Sequence, residues 1–162
     1  RGGNRLIIKA LAMDVDGTLT DGKIHMGEKG ELFKSFHVKD GYAIHHMLPQ
    51  MGIIPIIVTG RNSLIVERRC NEIGVVHIAQ GSINKVEDLK HILEELNIEW
   101  KDTAYIGDDK NDLECMKLAG VTGCPLDAVN EVKQQSDFIS EYYGGCGAVR
   151  EFVEWIWNKR NM

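Results

Sequence analysis

The chain has 162 residues, 43% of them apolar and 27% charged, enough for one domain with its own core. Its 19 Lys and Arg against 24 Asp and Glu leave a formal net charge of −5, which gives no basis for a nucleic-acid or membrane partner. No apolar run approaches the roughly 20 residues that a membrane-spanning helix needs.

The opening stretch "RGGNRL" has neither an initiator Met nor a hydrophobic signal core and reads as an edge cut from a longer chain. The first strand-like run, "LIIKALAMDVDG", climbs straight into Asp14 and Asp16. "GKIHMGEKGELFKSFHV" then reads as two short strands turned at "GEKG", a hairpin over about residues 22–38. "GIIPIIVTGR" is the second long strand, with Pro55 arguing against full pairing at that point. A helical pattern follows over Ser63–Ile73, then a short strand in "VVHIAQG". Val86, Leu89, Ile92, Leu93 and Leu96 make a helical stripe over Lys85–Leu96, with Ser82 as the expected N-cap. "TAYIGDD" is the third long strand, followed by a helix over Asn111–Ala119. The rest reads as a strand in "AGVTGCP", a helix in "LDAVNEVKQQ", a strand in "DFIS" and a closing helix, Ala148–Trp157. Near-continuous apolar strands alternating with amphipathic helices predict an α/β parallel sheet with helices on both faces. Cys70, Cys115, Cys124 and Cys146 stand far apart, with no C-x-x-C pair, which suits reduced thiols in the cytoplasm better than disulfides or zinc.

Ligands of such sheets bind beyond the carboxyl ends of the strands. Four polar sets fall at that edge: Asp14 with Asp16, Thr59 with Arg61, Lys85, and Asp108 with Asp109. Each alone is an ordinary turn, cap or solvated charge; together they point to a site. Crowded carboxylates repel one another and drive protonation, a cost that a divalent cation removes. Mg²⁺ takes a few carboxylates and leaves its other positions to water and phosphate. Asp14 and Asp108 supply carboxylates, the backbone around Asp16 further oxygens, and Lys85 and Thr59 donors for phosphoryl oxygens. That chemistry is phosphoryl transfer.

"DVDGT", "VTGR", Lys85 and "GDDKND" resemble the four ordered motifs of the haloacid dehalogenase superfamily, which has a Rossmann-like sheet. The resemblance implies Asp14 as nucleophile, Asp16 as general acid and then base, and Thr59 and Lys85 as phosphoryl-holding groups. It implies Mg²⁺ on Asp14, the Asp16 carbonyl and Asp108, with Asp109 just outside the ligands and Asp112 supporting it. Neither the gap from Asp14 to Thr59 nor that from Thr59 to Lys85 holds a cap domain beyond the hairpin, so residues 1–162 read as a single capless domain.

The whole chain is similar to the capless 3-deoxy-D-manno-octulosonate 8-phosphate phosphatases and their nine-carbon, neuraminate-type relatives. The pieces that carry this are "DVDGTLTDGKIHMGEKGE", "FHVKDGYAIHHM", "VTGRNSLIVERRC", "QGSINK" and "GGCGAVREFVEW". By that resemblance the substrate is a phosphorylated sugar acid. It is contacted through His37, Val38, Lys39, Asp40 and Gly41, with Arg61, Arg69 and Lys85 at anion-binding positions. It also implies a homotetramer in which hairpins of neighbouring copies close each site. His45 and Cys146 stand where those phosphatases carry Arg. Two other classes remain: an oligomerisation module of the kind fused behind cytidylyltransferases that make CMP-sialic acids, and a phosphoacceptor switch. The switch has no use for the hairpin or for Asp16.

Overall fold

The computed structural model describes residues 6–161; the reading of the N-terminal edge lies largely outside them. Six strands form one parallel sheet: β1 (Ala10–Met13), β4 (Ile54–Val58), β5 (His77–Ala79), β6 (Thr103–Ile106), β7 (Val121–Cys124) and β8 (Phe138–Ile139). Their order is β5-β4-β1-β6-β7-β8, which places β1 and β6 at the centre and reverses direction of travel across β1. A separate two-stranded hairpin, β2 (His25–Gly27) and β3 (Gly30–Phe33), follows β1, as the sequence predicts.

Both faces of the sheet are buried, so the central strands show unbroken burial. Leu11 and Met13 point to one side, against Ile44 and Leu48 of the 38–51 segment, Val66 and Cys70 of α3 (Leu64–Glu72) and Phe152 of α7 (Ala148–Arg160). Ala10 and Ala12 point to the other, against Leu89 and Leu93 of α4 (Lys85–Leu96), Met116 of α5 (Leu113–Leu118) and Val132 of α6 (Asn130–Gln135). The alternation follows from the two-residue repeat of a strand. Trp155 stacks on Phe152 and packs at a tilt against Phe138, while Trp157 faces solvent. Among the described residues, no helix is long and apolar enough to cross a membrane.

Several local expectations are corrected. Pro55 does limit pairing as expected, but on one side only: Ile54 N–H donates to Lys9, so the Pro55 nitrogen faces the β5 side, where pairing begins only opposite Ile56. The N-cap of α4 is Asn84, whose side chain accepts the Glu87 N–H at 3.1 Å; Ser82 lies too early and donates to Asp88 instead. The helix expected from Asn111 opens as a 3₁₀ turn, Lys110–Asp112, because Asp109 and Asp112 form a capping box there. The "LDAVNEVKQQ" helix is only α6, preceded by a turn that closes from Ala128 N–H to Pro125.

One helix was not foreseen. Val38–Tyr42 (α1) and Leu48–Met51 (α2) are joined by a π-helical turn, Ala43–Met47. Pro49 has no N–H for the preceding turn and its ring crowds the carbonyl four residues back; a widened turn relieves both. Gly52 ends the segment at φ 70°, where a Cβ is costly.

Candidate active site

The site lies at the C-terminal edge of the central strands. Asp14 follows β1 immediately, its N–H still donating to Ile106 of β6 at 3.2 Å. Thr59 follows β4, donating its N–H to Ala79 at 2.9 Å and accepting the Ser82 N–H at 3.0 Å. Asp108 and Asp109 follow β6, and Lys85 is the first residue of α4. A pocket of about 190 Å³ opens among Asp14, Asp16, Thr59, Arg61, Asp108 and Asp109.

Beneath that pocket sits a buried ionic cluster. Lys85 Nζ donates to Asp14 Oδ1 at 3.0 Å and to Asp112 Oδ1 at 2.8 Å. The Tyr105 hydroxyl also donates to Asp112 Oδ1, at 2.5 Å, while Asp112 Oδ2 accepts the N–H groups of Asp108 and Asp109 at 3.0 and 3.2 Å. Four donors thus converge on one fully buried carboxylate. Glycines permit the crowding. A Cβ on Gly107 would lie 2.3 Å from Asp112 Cγ, and one on Gly17 (φ +89°) would lie 1.9 Å from Asp108 Oδ2.

Carboxylate oxygens of Asp14, Asp108 and Asp112 lie within 4.8 Å of one another. With so much negative charge in one place, protons bind tightly. Burial, then the hydrogen bond and charge of Asp14 and the charge of Asp112, push the Asp108 carboxyl up to about 9. Burial, then Asp112, raise Asp14 to about 6 against the opposing pull of Lys85. Burial alone would discharge Lys85, but Asp14 and Asp112 outweigh it and hold the ammonium above its usual range. A divalent cation is the chemical complement of this donor set. Asp112 already spends its oxygens on four donors, so Asp14 and Asp108 are the carboxylates free to ligate.

Residues 62–152 match the family model described as haloacid dehalogenase-like hydrolase. The 3-deoxy-D-manno-octulosonate 8-phosphate phosphatase of Salmonella typhi is 42% identical over 91% of this chain and 78% of its own length. The chain belongs to the haloacid dehalogenase-like hydrolases. Among solved structures, the octulosonate phosphatase of Moraxella catarrhalis, in complex with magnesium, phosphate and the sugar acid, superposes with a TM-score of 0.90 at 42% identity. That match covers 95% of this chain and 88% of the other. The cobalt-bound Haemophilus influenzae phosphatase gives 0.91 at 36% identity, over 95% and 90% of the two chains.

Within this hydrolase the expected site residues divide into two groups. Asp14, Asp16, Thr59, Arg61, Asp108 and Asp109 meet in the pocket, with Lys85 bonded beneath it. His37, Val38, Lys39, Asp40, Gly41, His45 and Arg69 do not line it. His37 caps α1, accepting the Lys39 N–H at 3.1 Å, and Val38 and Lys39 are exposed. Asp40 is buried and accepts the Arg150 N–H at 3.0 Å, capping α7, whose own N-cap, Gly147, has no side chain. The Arg69 guanidinium lies on Gly41 and 5.7 Å from the Phe36 ring centroid. His45 is exposed beside His46. The C-terminal glycine loop packs on its own chain: Gly145 N–H donates to Thr18 at 3.1 Å, and Cys146 is exposed. Sequence reasoning missed Tyr105 as a partner of Asp112, Asn111 at the pocket wall, and Glu31 and Lys34 of the hairpin.

Proposed function

We propose that this hydrolase releases inorganic phosphate from 3-deoxy-D-manno-octulosonate 8-phosphate with Mg²⁺ as cofactor. The observation that carries the reading is the match, over nearly the whole chain, to a phosphatase holding magnesium, phosphate and that sugar acid, combined with the Asp14–Lys85–Asp108 geometry. An Asp14 oxygen attacks phosphorus while the sugar oxygen leaves and takes a proton from Asp16. Asp16, now a carboxylate, accepts a proton from a water that attacks the aspartyl-phosphate, which frees phosphate and restores Asp14. Thr59 and Lys85 contribute a hydroxyl and a positive charge to the phosphoryl oxygens. The carboxylates of Asp14 and Asp108 and the Asp16 carbonyl would hold Mg²⁺, which when bound would supply positive charge to offset that on the phosphoryl oxygens.

The pocket is open, and the hairpin carries Met26, Leu32 and Phe33 at 60%, 65% and 50% exposure. These apolar side chains support self-association as a homotetramer in which a neighbouring copy covers the sugar. Val38, Lys39 and His45, exposed outside their own chain's pocket, then serve at subunit contacts, while Asp40 and Gly41 stay buried within the fold. Lone thiols support a cytoplasmic location.

The test is a phosphate-release screen with Mg²⁺ across eight- and nine-carbon 2-keto-3-deoxy acid phosphates. The octulosonate 8-phosphate is expected to exceed neuraminate 9-phosphate and its deaminated analogue by about tenfold or more in kcat/KM. Preference for a nine-carbon acid would move the assignment to that substrate, through His45 and Cys146. Equally poor turnover of all of them would return the chain to a non-catalytic oligomerisation module.

Stability reports on the metal separately. Folded Asp14 and Asp108 hold protons more tightly than the roughly 3.9 of an unfolded Asp, so the folded state binds more protons above about pH 4. Metal-free protein therefore loses stability as pH rises from about 4 towards 9. Mg²⁺ competes with those protons, so its stabilisation grows over the same range. At a hundredfold excess over Kd the gain is about 2.7 kcal/mol, or roughly 5–10 °C in Tm. Thermal melts with EDTA and with Mg²⁺ across that range check it; a Mg²⁺ gain independent of pH would contradict it.

A further inference from the structure

The hairpin does more than present an apolar surface. Lys34, one residue past β3, turns back across its own chain's site, and its side chain is only 2% exposed. Its Nζ donates to Asp16 Oδ1 at 2.7 Å and lies 2.9 Å from Glu31 Oε2. Glu31 is held in turn by the Ser63 hydroxyl, at 3.0 Å, and Ser63 is also the N-cap of α3. Arg61 Nε stands 3.9 Å from Asp16 Oδ2 and its Nη2 3.8 Å from Glu31 Oε2. Three segments that share no secondary structure, the hairpin, the loop after β1 and the loop after β4, are tied together at the Asp16 carboxylate.

Burying a lysine is costly unless its charge is compensated. Burial works against the Lys34 ammonium, but Asp16 and Glu31 more than compensate and hold it above its usual range. Such a lysine is not a solvated surface charge. Its placement also divides Asp16 in two: Oδ1 is taken by Lys34, and Oδ2 faces Arg61 at the pocket wall.

We propose that Lys34 is a positioning residue that fixes the Asp16 carboxyl through Oδ1, so that Oδ2 faces the leaving oxygen of the substrate. This rests on the reading of Asp16 as the acid that protonates that oxygen. When the phosphorus–oxygen bond of the sugar ester breaks, the proton on Asp16 passes to the departing oxygen and Asp16 becomes a carboxylate. Lys34 neither gives nor takes a proton; it holds the carboxyl where the transfer occurs and pairs with the anion that results.

An acid matters when the leaving group is a poor one. A sugar alkoxide must be protonated as it departs, whereas p-nitrophenolate leaves without help. The quantity to compare is kcat/KM, because it reports the steps up to the first irreversible bond cleavage. Lys34→Met is expected to lower kcat/KM on the sugar-acid phosphate by about 10²-fold, at the lower end of what a general acid supplies, and on p-nitrophenyl phosphate by less than about threefold. Lys34→Arg is expected to restore much of the loss. Glu31→Gln, which leaves Lys34 in place with one partner fewer, should show the same pattern at smaller size and serves if Lys34→Met fails to fold. Asp16→Asn is the reference and should show that leaving-group dependence more strongly. Equal losses on both substrates in the Lys34 and Glu31 variants, with Asp16→Asn still selective, would overturn the role of Lys34 and leave the acid in place. Loss of selectivity in Asp16→Asn itself would bring down the acid, and the proposal with it.

Discussion

Asp14→Asn is expected to abolish phosphate release from sugar-acid phosphates, by at least about 10⁴-fold in kcat, while the protein folds and assembles as before. The amide is isosteric, and its carbonyl oxygen can still accept from Lys85, which donates to Asp14 Oδ1 at 3.0 Å. It cannot attack phosphorus as a carboxylate does. Asp14 is 5% exposed, so removing its charge removes a desolvation penalty as well. Metal-free Tm should therefore equal or exceed that of the parent, and the Mg²⁺-induced rise in Tm should shrink. Phosphate assays, melts and size-exclusion chromatography on one preparation separate these effects. Turnover near the parent rate would remove Asp14 from the reaction and sink the mechanism.

The strand ends were legible because the signal there is local. An apolar run fully buried on both faces ends where polar residues begin, and in a parallel sheet those ends share one edge. Asp14, Thr59 and Asp108 were placed on that rule alone. The helix over residues 38–51 was not legible: Gly41 and Pro49 break its propensity, and the π turn shifts its apolar repeat out of helical phase. Asp112 and Lys34 show a second limit. Read locally, "GDDKND" offers Asp112 only as a cap for its own turn. Its weight comes from Lys85 on α4 and Tyr105 on β6, contacts fixed by the crossover connections of the sheet. Likewise, nothing near Lys34 in sequence says that the hairpin folds back over Asp16, eighteen residues earlier.

The same convergence makes Asp112 a position where a single atom exchange has a large structural effect. Each of its four partners approaches as a donor: an ammonium, a phenol and two backbone N–H groups. Only a carboxylate accepts on both oxygens. In Asp112→Asn one side must present an NH₂ group, either to Lys85 and Tyr105 or to the N–H groups of Asp108 and Asp109. Turning the amide exchanges one conflict for the other. Tyr105 can rotate its hydroxyl, but Lys85 and the backbone groups have no acceptor to offer. At about 1–3 kcal/mol for each buried group left unsatisfied, the variant is expected to lose about 3 kcal/mol, or roughly 6–12 °C in Tm, despite its unchanged shape. Asp112→Ala loses all four bonds and leaves a cavity, so its loss should reach about 4–5 kcal/mol. Catalysis falls with either change, because the loop that carries Asp108 and the lysine that orients Asp14 lose their common anchor. Denaturant melts at fixed Mg²⁺, with kcat measured well below Tm, test both statements. Parent-like stability in Asp112→Asn would mean that the four donors do not depend on this carboxylate.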